Sequence, residues 1–191
     1  LMMRLRQICC DWRLIEPELS AESPKLTLLM HRLAEAVEEG HKVVVFSQFV
    51  EMISLIKNAC EGAGISAMVM TGKTRNRDHV IQQFSDEAGG AVLLVSLKVG
   101  GVGLNLTMAD YVFLYDPWWN PAVEMQAMDR VYRLGQEKPV FIYKLLMRDS
   151  IEDRIYQLQK DKKGLYDEVF EGANQLGQLL SDDHLSQLLA H

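Results

Sequence analysis

K-V-V-V-F-S, residues 42–47, carries a continuous apolar run of strand length. A strand wet on one face alternates polar and apolar residues. One without alternation is covered on both faces, as in a parallel sheet. Upstream, Ser23-Pro24 predicts a helix start, with Ser at the N-cap and Pro at the first helical position. Leu26, Leu29, Met30, Leu33 and Val37 follow at helical spacing, and Gly40 ends the segment. Downstream, a helical pattern runs from about Val50 to Cys60, closed by Gly62 and Gly64. The alternation repeats with a short strand at 66–70, a T-G-K-T loop at 71–74 and a helix to about Phe84. Further strands are predicted at 91–96, 111–115 and 140–146, with Asn120-Pro121 starting the helix between the last two. Strands alternating with helices over this length predict an α/β fold, a parallel sheet with helices on both faces.

Beyond Asp149 the pattern becomes wholly helical. Ser150 with Asp153 resembles a capping box, Ile151, Ile155, Leu158 and Leu165 continue a long helix, and a short one is expected at 182–189. The division expected is an entry segment at 1–22, a sheet domain at 23–148 and a helical extension at 149–191. The opening Leu-Met-Met lies inside an amphipathic segment, so the chain reads as a piece of something longer.

The 191 residues carry a net charge of −6, unevenly spread. From Asp149 onward nine acids face four bases, leaving the first 148 residues close to neutral, with Lys73, Arg75 and Arg77 clustered on one loop. Local patches decide whether DNA is a partner, and whole-chain charge does not exclude it. No apolar run reaches the roughly 18 residues of a membrane span, so no membrane partner is expected. Cys9, Cys10 and Cys60 form no C-x-x-C pair, and no Cys/His spacing fits zinc. Buried reduced thiols in an intracellular protein are the simplest account.

Two segments carry candidate chemistry. K-V-G-G-V-G-L-N-L at 98–106 follows a buried strand, and in open α/β sheets ligands bind at the carboxyl ends of strands. Gly100, Gly101 and Gly103 would let the backbone approach a phosphate or ribose. The dinucleotide fingerprint fails, because Leu106 stands where its third glycine belongs, and no G-x-x-x-x-G-K-[ST] occurs. The second segment, Q-A-M-D-R-V-Y-R-L-G-Q at 126–136, sets Arg130 and Arg133 on one helical face. Alone, such a pair reads as an exposed ion-paired face. Aimed across a cleft, two planar guanidinium forks suit a nucleotide's terminal phosphate.

The ordered set F-S-Q-F at 46–49, T-G-K-T-R-N-R at 71–77, S-L-K-V-G-G-V-G-L-N-L at 96–106, D-P-W-W-N-P at 116–121 and Q-A-M-D-R-V-Y-R-L-G-Q at 126–136 resembles the second RecA-like lobe of Swi/Snf-type helicase-like ATPases, in superfamily two. L-R-Q-I-C-C at 5–10 and I-E-D-R-I-Y-Q-L-Q-K-D-K-K at 151–163 fit the same resemblance, which covers roughly 170 residues. Tyr132 departs from the His that many relatives carry between the arginines.

The resemblance implies the C-terminal lobe of a DNA-dependent ATPase that translocates on double-stranded DNA, an acid anhydride hydrolase. ATP with magnesium would lie between two lobes, and the N-terminal RecA-like lobe would supply the P-loop and metal ligands. Arg130 and Arg133 would act as arginine fingers, with Gln126 holding their helix and the nucleotide in register. Gly100, Gly101 and Gly103 would meet ribose and phosphates. Gln48, Gly72, Lys73 and Lys98 would track DNA phosphates, and Trp119 would lie against the minor groove. A DNA-bound protein is a further expected partner. The isolated segment is expected to turn over no ATP. Two rival readings stay open: a catalytically incomplete DNA- or protein-binding lobe, and a strand-separating helicase.

Overall fold

The computed structural model describes residues 2–160 apart from 20, 22, 98, 100–103, 117, 119–120 and 132–138, and of residues 121–123 only the backbone. Arg133, Gly100, Gly101, Gly103, Lys98, Trp119 and the helix expected at 182–189 lie outside the described residues.

The apolar runs form the strands the pattern predicts: β1 (Lys42–Ser47), β2 (Ala67–Met70), β3 (Ala91–Ser96), β4 (Tyr111–Leu114) and β5 (Phe141–Lys144). They assemble in the order β2-β3-β1-β4-β5, every neighbouring pair parallel. β1 lies at the centre, in register with β3 from Lys42↔Ala91 to Ser47↔Ser96 and with β4 from Val43↔Tyr111 to Phe46↔Leu114. All six residues of β3 are buried, which explains its lack of alternation.

Helices cover both faces of the sheet. On one, Val43, Val45, Val92, Leu94 and Phe113 pack with α2 (Pro24–Glu38) and α3 (Val50–Gly62) through Leu29, Leu33, Met52, Ile53 and Ile56. On the other, Val44, Phe46, Leu93, Val95, Val112 and Leu114 pack with Phe84 of α4 (Arg77–Asp86) and Ala127 of α5 (Pro121–Met128). The odd and even residues of one strand thus supply two separate cores.

Both helices on the first face stop at a glycine in the left-handed region. Gly40, at φ 85°, lets His41 N–H reach Ala36 O at 2.9 Å and its own N–H reach Val37 O at 3.0 Å. Gly64, at φ 69°, repeats the arrangement with Ile65 N–H on Cys60 O at 2.9 Å. These are Schellman ends, and each turns the chain directly toward the next strand.

The start of α2 differs from expectation. Ser23 occupies the N-cap, but its hydroxyl makes no cap bond and donates instead to Cys10 O at 2.9 Å. The hydroxyl thus ties the start of α2 to a residue thirteen positions upstream. α1 (Met2–Cys10) precedes it, followed by a 3-10 turn at Trp12–Leu14.

Two compact units divide the chain, Leu1–Arg154 and Ile155–His191. Residues 151–154 are helical in the first and 155–160 in the second. Ser150 Oγ accepts from Glu152 N–H at 3.1 Å at the entry to this helical segment.

Candidate nucleotide- and DNA-facing edge

Because every strand is parallel, the loops after β1, β2, β3 and β4 leave from the same edge of the sheet. That edge gathers the described candidates from three separated stretches of sequence. Gln48 follows β1 and is half-buried; Gly72 and Lys73 follow β2 and are exposed. Gln126 lies exposed on α5, and half-buried Arg130 lies in the turn continuing from it. α3, which leaves β1, joins one face and α5, which leaves β4, joins the other. Neighbouring strands whose connections depart to opposite faces define a switch point, where a crevice opens.

The T-G-K-T loop is a tight hydrogen-bonded turn. Thr74 N–H donates to Thr71 O at 3.0 Å, and Thr71 N–H donates to Thr74 Oγ1 at 3.0 Å. With both threonines turned onto the backbone, Lys73 is left facing solvent, and exposed Arg75 lies two residues on. Asn76 then caps α4 by accepting His79 N–H at 3.2 Å.

Across the switch point the two central loops are joined through Asp116, only 1% exposed. Its carboxylate accepts Ser47 O–H at 2.6 Å and Gln48 N–H at 3.1 Å. Burial pushes the Asp116 carboxyl above the ordinary carboxylate range, while the Ser47 and Gln48 donors pull it back in part. Beside it Tyr115 is fully buried, its hydroxyl donating to Cys10 O at 3.0 Å.

A second buried carboxylate, Glu124 of α5, is 1% exposed. Its Oε1 accepts Trp118 N–H at 2.8 Å and its Oε2 pairs with Lys144 of β5. The α5 hydrogen-bond pattern continues past its end: Asp129 N–H meets Met125 O at 2.9 Å and Arg130 N–H meets Ala127 O at 3.3 Å. Arg130 O in turn accepts Leu106 N–H at 2.9 Å, fastening the arginine turn to the end of the glycine-rich segment.

The structure therefore brings Gln48, Gly72, Lys73, Gln126 and Arg130 to loops and a helix served by one sheet edge. Asp116, Glu124, Ser47 and Lys144 were not anticipated as site residues. Asp116 and Glu124 stand inside or beside the motifs already quoted, but nothing in their spacing distinguishes a buried acid from a solvated one. Among the described residues no group of three or more His, Cys, Asp and Glu could hold a metal ion. No described helix is long and apolar enough to cross a membrane.

Residues 24–135 match the helicase conserved C-terminal domain. The chain is 42% identical over 158 residues to a putative SWI/SNF-related matrix-associated actin-dependent regulator of chromatin subfamily A member 3-like 1 of Arabidopsis thaliana, covering 80% of this chain and 18% of that protein. It is 37% identical over 167 residues to an uncharacterized ATP-dependent helicase of Mycoplasma genitalium, covering 86% and 16%. It is 41% identical over 145 residues to the DNA repair protein rad8 of Schizosaccharomyces pombe, covering 74% and 13%. The chain thus spans less than a fifth of the curated relatives it matches. Among solved structures, the Sulfolobus solfataricus SWI2/SNF2 ATPase C-terminal domain superposes with a TM-score of 0.70 at 29% identity, covering 88% of this chain and 70% of that one. The C-terminal part of the Fun30 ATPase domain gives 0.70 at 30% identity, covering 82% and 53%.

Proposed function

The chain belongs to the helicase conserved C-terminal domain family as a C-terminal RecA-like lobe of SWI2/SNF2 type, and from that premise we propose that it is half of an ATP-driven translocase on double-stranded DNA. The observation that carries this reading is the common edge. Gln48, Gly72 and Lys73 are set on loops that leave the same sheet edge as the connection into α5, and the Arg130 turn that follows α5 is bonded to the end of the glycine-rich segment. A nucleotide approached from the glycine side and DNA lying along the loops would both be in reach of one rigid sheet.

In this reading Arg130 and Arg133 stabilise the charge that spreads over the γ-phosphoryl oxygens when a second lobe closes on ATP. Gly100, Gly101 and Gly103 admit the nucleotide to close backbone approach, and Gln126 orients it. Magnesium would be held by carboxylates of the other lobe. Gln48, Gly72, Lys73 and Lys98 contact the DNA backbone, and Trp119 rests on the minor groove. Closure on ATP and reopening after hydrolysis would advance the lobe along the duplex. A DNA-bound protein would be the cargo displaced.

The test uses the intact protein carrying both lobes. Arg130→Ala and Arg133→Ala should each lower DNA-stimulated ATP hydrolysis by about 10³-fold, while duplex affinity measured by fluorescence anisotropy stays near wild type. Undiminished hydrolysis in both variants rules the assignment out.

A further inference from the structure

A carboxylate buried as deeply as Glu124 is not explained by stability. Desolvating a charge costs several kcal/mol, roughly, and an apolar side chain of similar volume often serves at least as well. What distinguishes Glu124 is where its two oxygens point. One accepts the backbone N–H of Trp118, in the D-P-W-W-N-P loop, at 2.8 Å; the other pairs with Lys144 of β5. The residue itself lies in the first turn of α5, and the hydrogen bonds of that helix run on without a break to Arg130.

Two residues before Trp118, Asp116 bonds Ser47 O–H and Gln48 N–H across the switch point. Hydrogen bonds therefore tie Gln48 N–H to Asp116, and Trp118 N–H to Glu124 of the helix that leads into the arginine turn, where Arg130 O accepts Leu106 N–H. Gln48 faces DNA in the reading above, and the arginine turn faces the nucleotide.

We propose that Glu124 is the positioning residue that makes the Trp118 backbone and the Arg130 turn move as one body, so that duplex DNA bound at Gln48 sets the arginine against the γ-phosphate. The proposal rests on the ATPase reading. The bond to Trp118 N–H does the coupling, and the Lys144 pair serves to neutralise the buried charge.

This division predicts unequal effects for two substitutions in the intact two-lobed protein. Glu124→Ala removes the acceptor and should lower the DNA-stimulated kcat about tenfold, since small misplacements of catalytic groups are costly, with KM for ATP and duplex affinity unchanged. Glu124→Gln keeps an oxygen for Trp118 N–H and loses only the charge, so kcat should return to within about threefold of wild type. Hydrogen exchange, read by mass spectrometry, should show the Trp118 amide losing protection in the Ala variant and keeping it in the Gln variant. A role confined to the ion pair or to folding would impair both variants alike, and that result overturns the proposal. So does full kcat in Glu124→Ala. An active Glu124→Ala beside an inactive Arg130→Ala defeats this inference alone. An active Arg130→Ala defeats the arginine assignment and, because this inference acts through that residue, defeats it too, whatever Glu124→Ala does.

Discussion

Asp116 is an acid held where an acid is costly. At 1% exposure its native carboxyl keeps a proton to higher pH than the ordinary value of 3.8, because burial disfavours the charged form. The native state thus binds that proton more tightly than the unfolded chain. The stability it contributes is complete below the ordinary carboxylate value and is lost as pH rises through the elevated native one. Asp116→Asn offers an uncharged side chain whose oxygen can still accept from Ser47 and Gln48. In urea unfolding across pH 4–8, wild type should lose stability relative to the Asn variant as pH rises; the opposite slope would contradict the assignment. Legibility at this scale was partial. Arg130, Gln48 and Lys73 were singled out as candidates through the motifs that contain them, and those motifs are short-range patterns. Whether an Asp is solvated or sealed depends on what the rest of the chain lays over it, and neither Asp116 nor Glu124 carries that information locally.

Elements were the most legible scale. Each described strand matched an apolar run, and the two helix ends at Gly40 and Gly64 were marked by glycine because an L side chain is disfavoured at φ 85° and 69°. Gly90 escaped notice for a complementary reason. Its backbone is not in the left-handed region, but a Cβ there would lie 2.2 Å from Val37 O and 2.5 Å from Val37 Cα, both backbone atoms of α2. Neither can swing aside as a side chain could, so α2 or the start of β3 must shift. Gly90→Ala should cost about 3 kcal/mol, read as a lowered urea midpoint with an unchanged m-value. An unaltered midpoint would mean that α2 packs less tightly on this segment than its geometry implies. The contact joins residues more than fifty apart in sequence, which no periodicity reports.

For the molecule as a whole, the tie that matters joins Lys25 to Glu152 across 127 residues, with Nζ 2.7 Å and 2.6 Å from the two carboxylate oxygens. Both side chains are nearly sealed, at 4% and 1% exposure. Glu152 also accepts Met147 N–H at 2.9 Å, and Lys25 lies 5.1 Å from the Tyr115 ring centroid. Cys10 O receives both Ser23 and Tyr115 hydroxyls, so α1, α2, the end of β4 and the start of the helical segment at 151 meet at one polar knot. Lys25→Met or Glu152→Leu alone strands a buried charge and should cost about 4 kcal/mol, while the double variant should recover most of it. Additive losses in a double-mutant cycle would show that the pair is not coupled. By itself the sequence determined the fold class, the strand and helix content and the family, because these follow from apolar spacing, glycine placement and an ordered run of motifs. Only the tertiary structure decided the strand order, the common edge that collects four distant loops, and the buried acids Asp116 and Glu124, of which Asp116 ties two of those loops together. Burial and long-range pairing are properties of the assembled sheet, and a residue acquires them from neighbours far away in the chain.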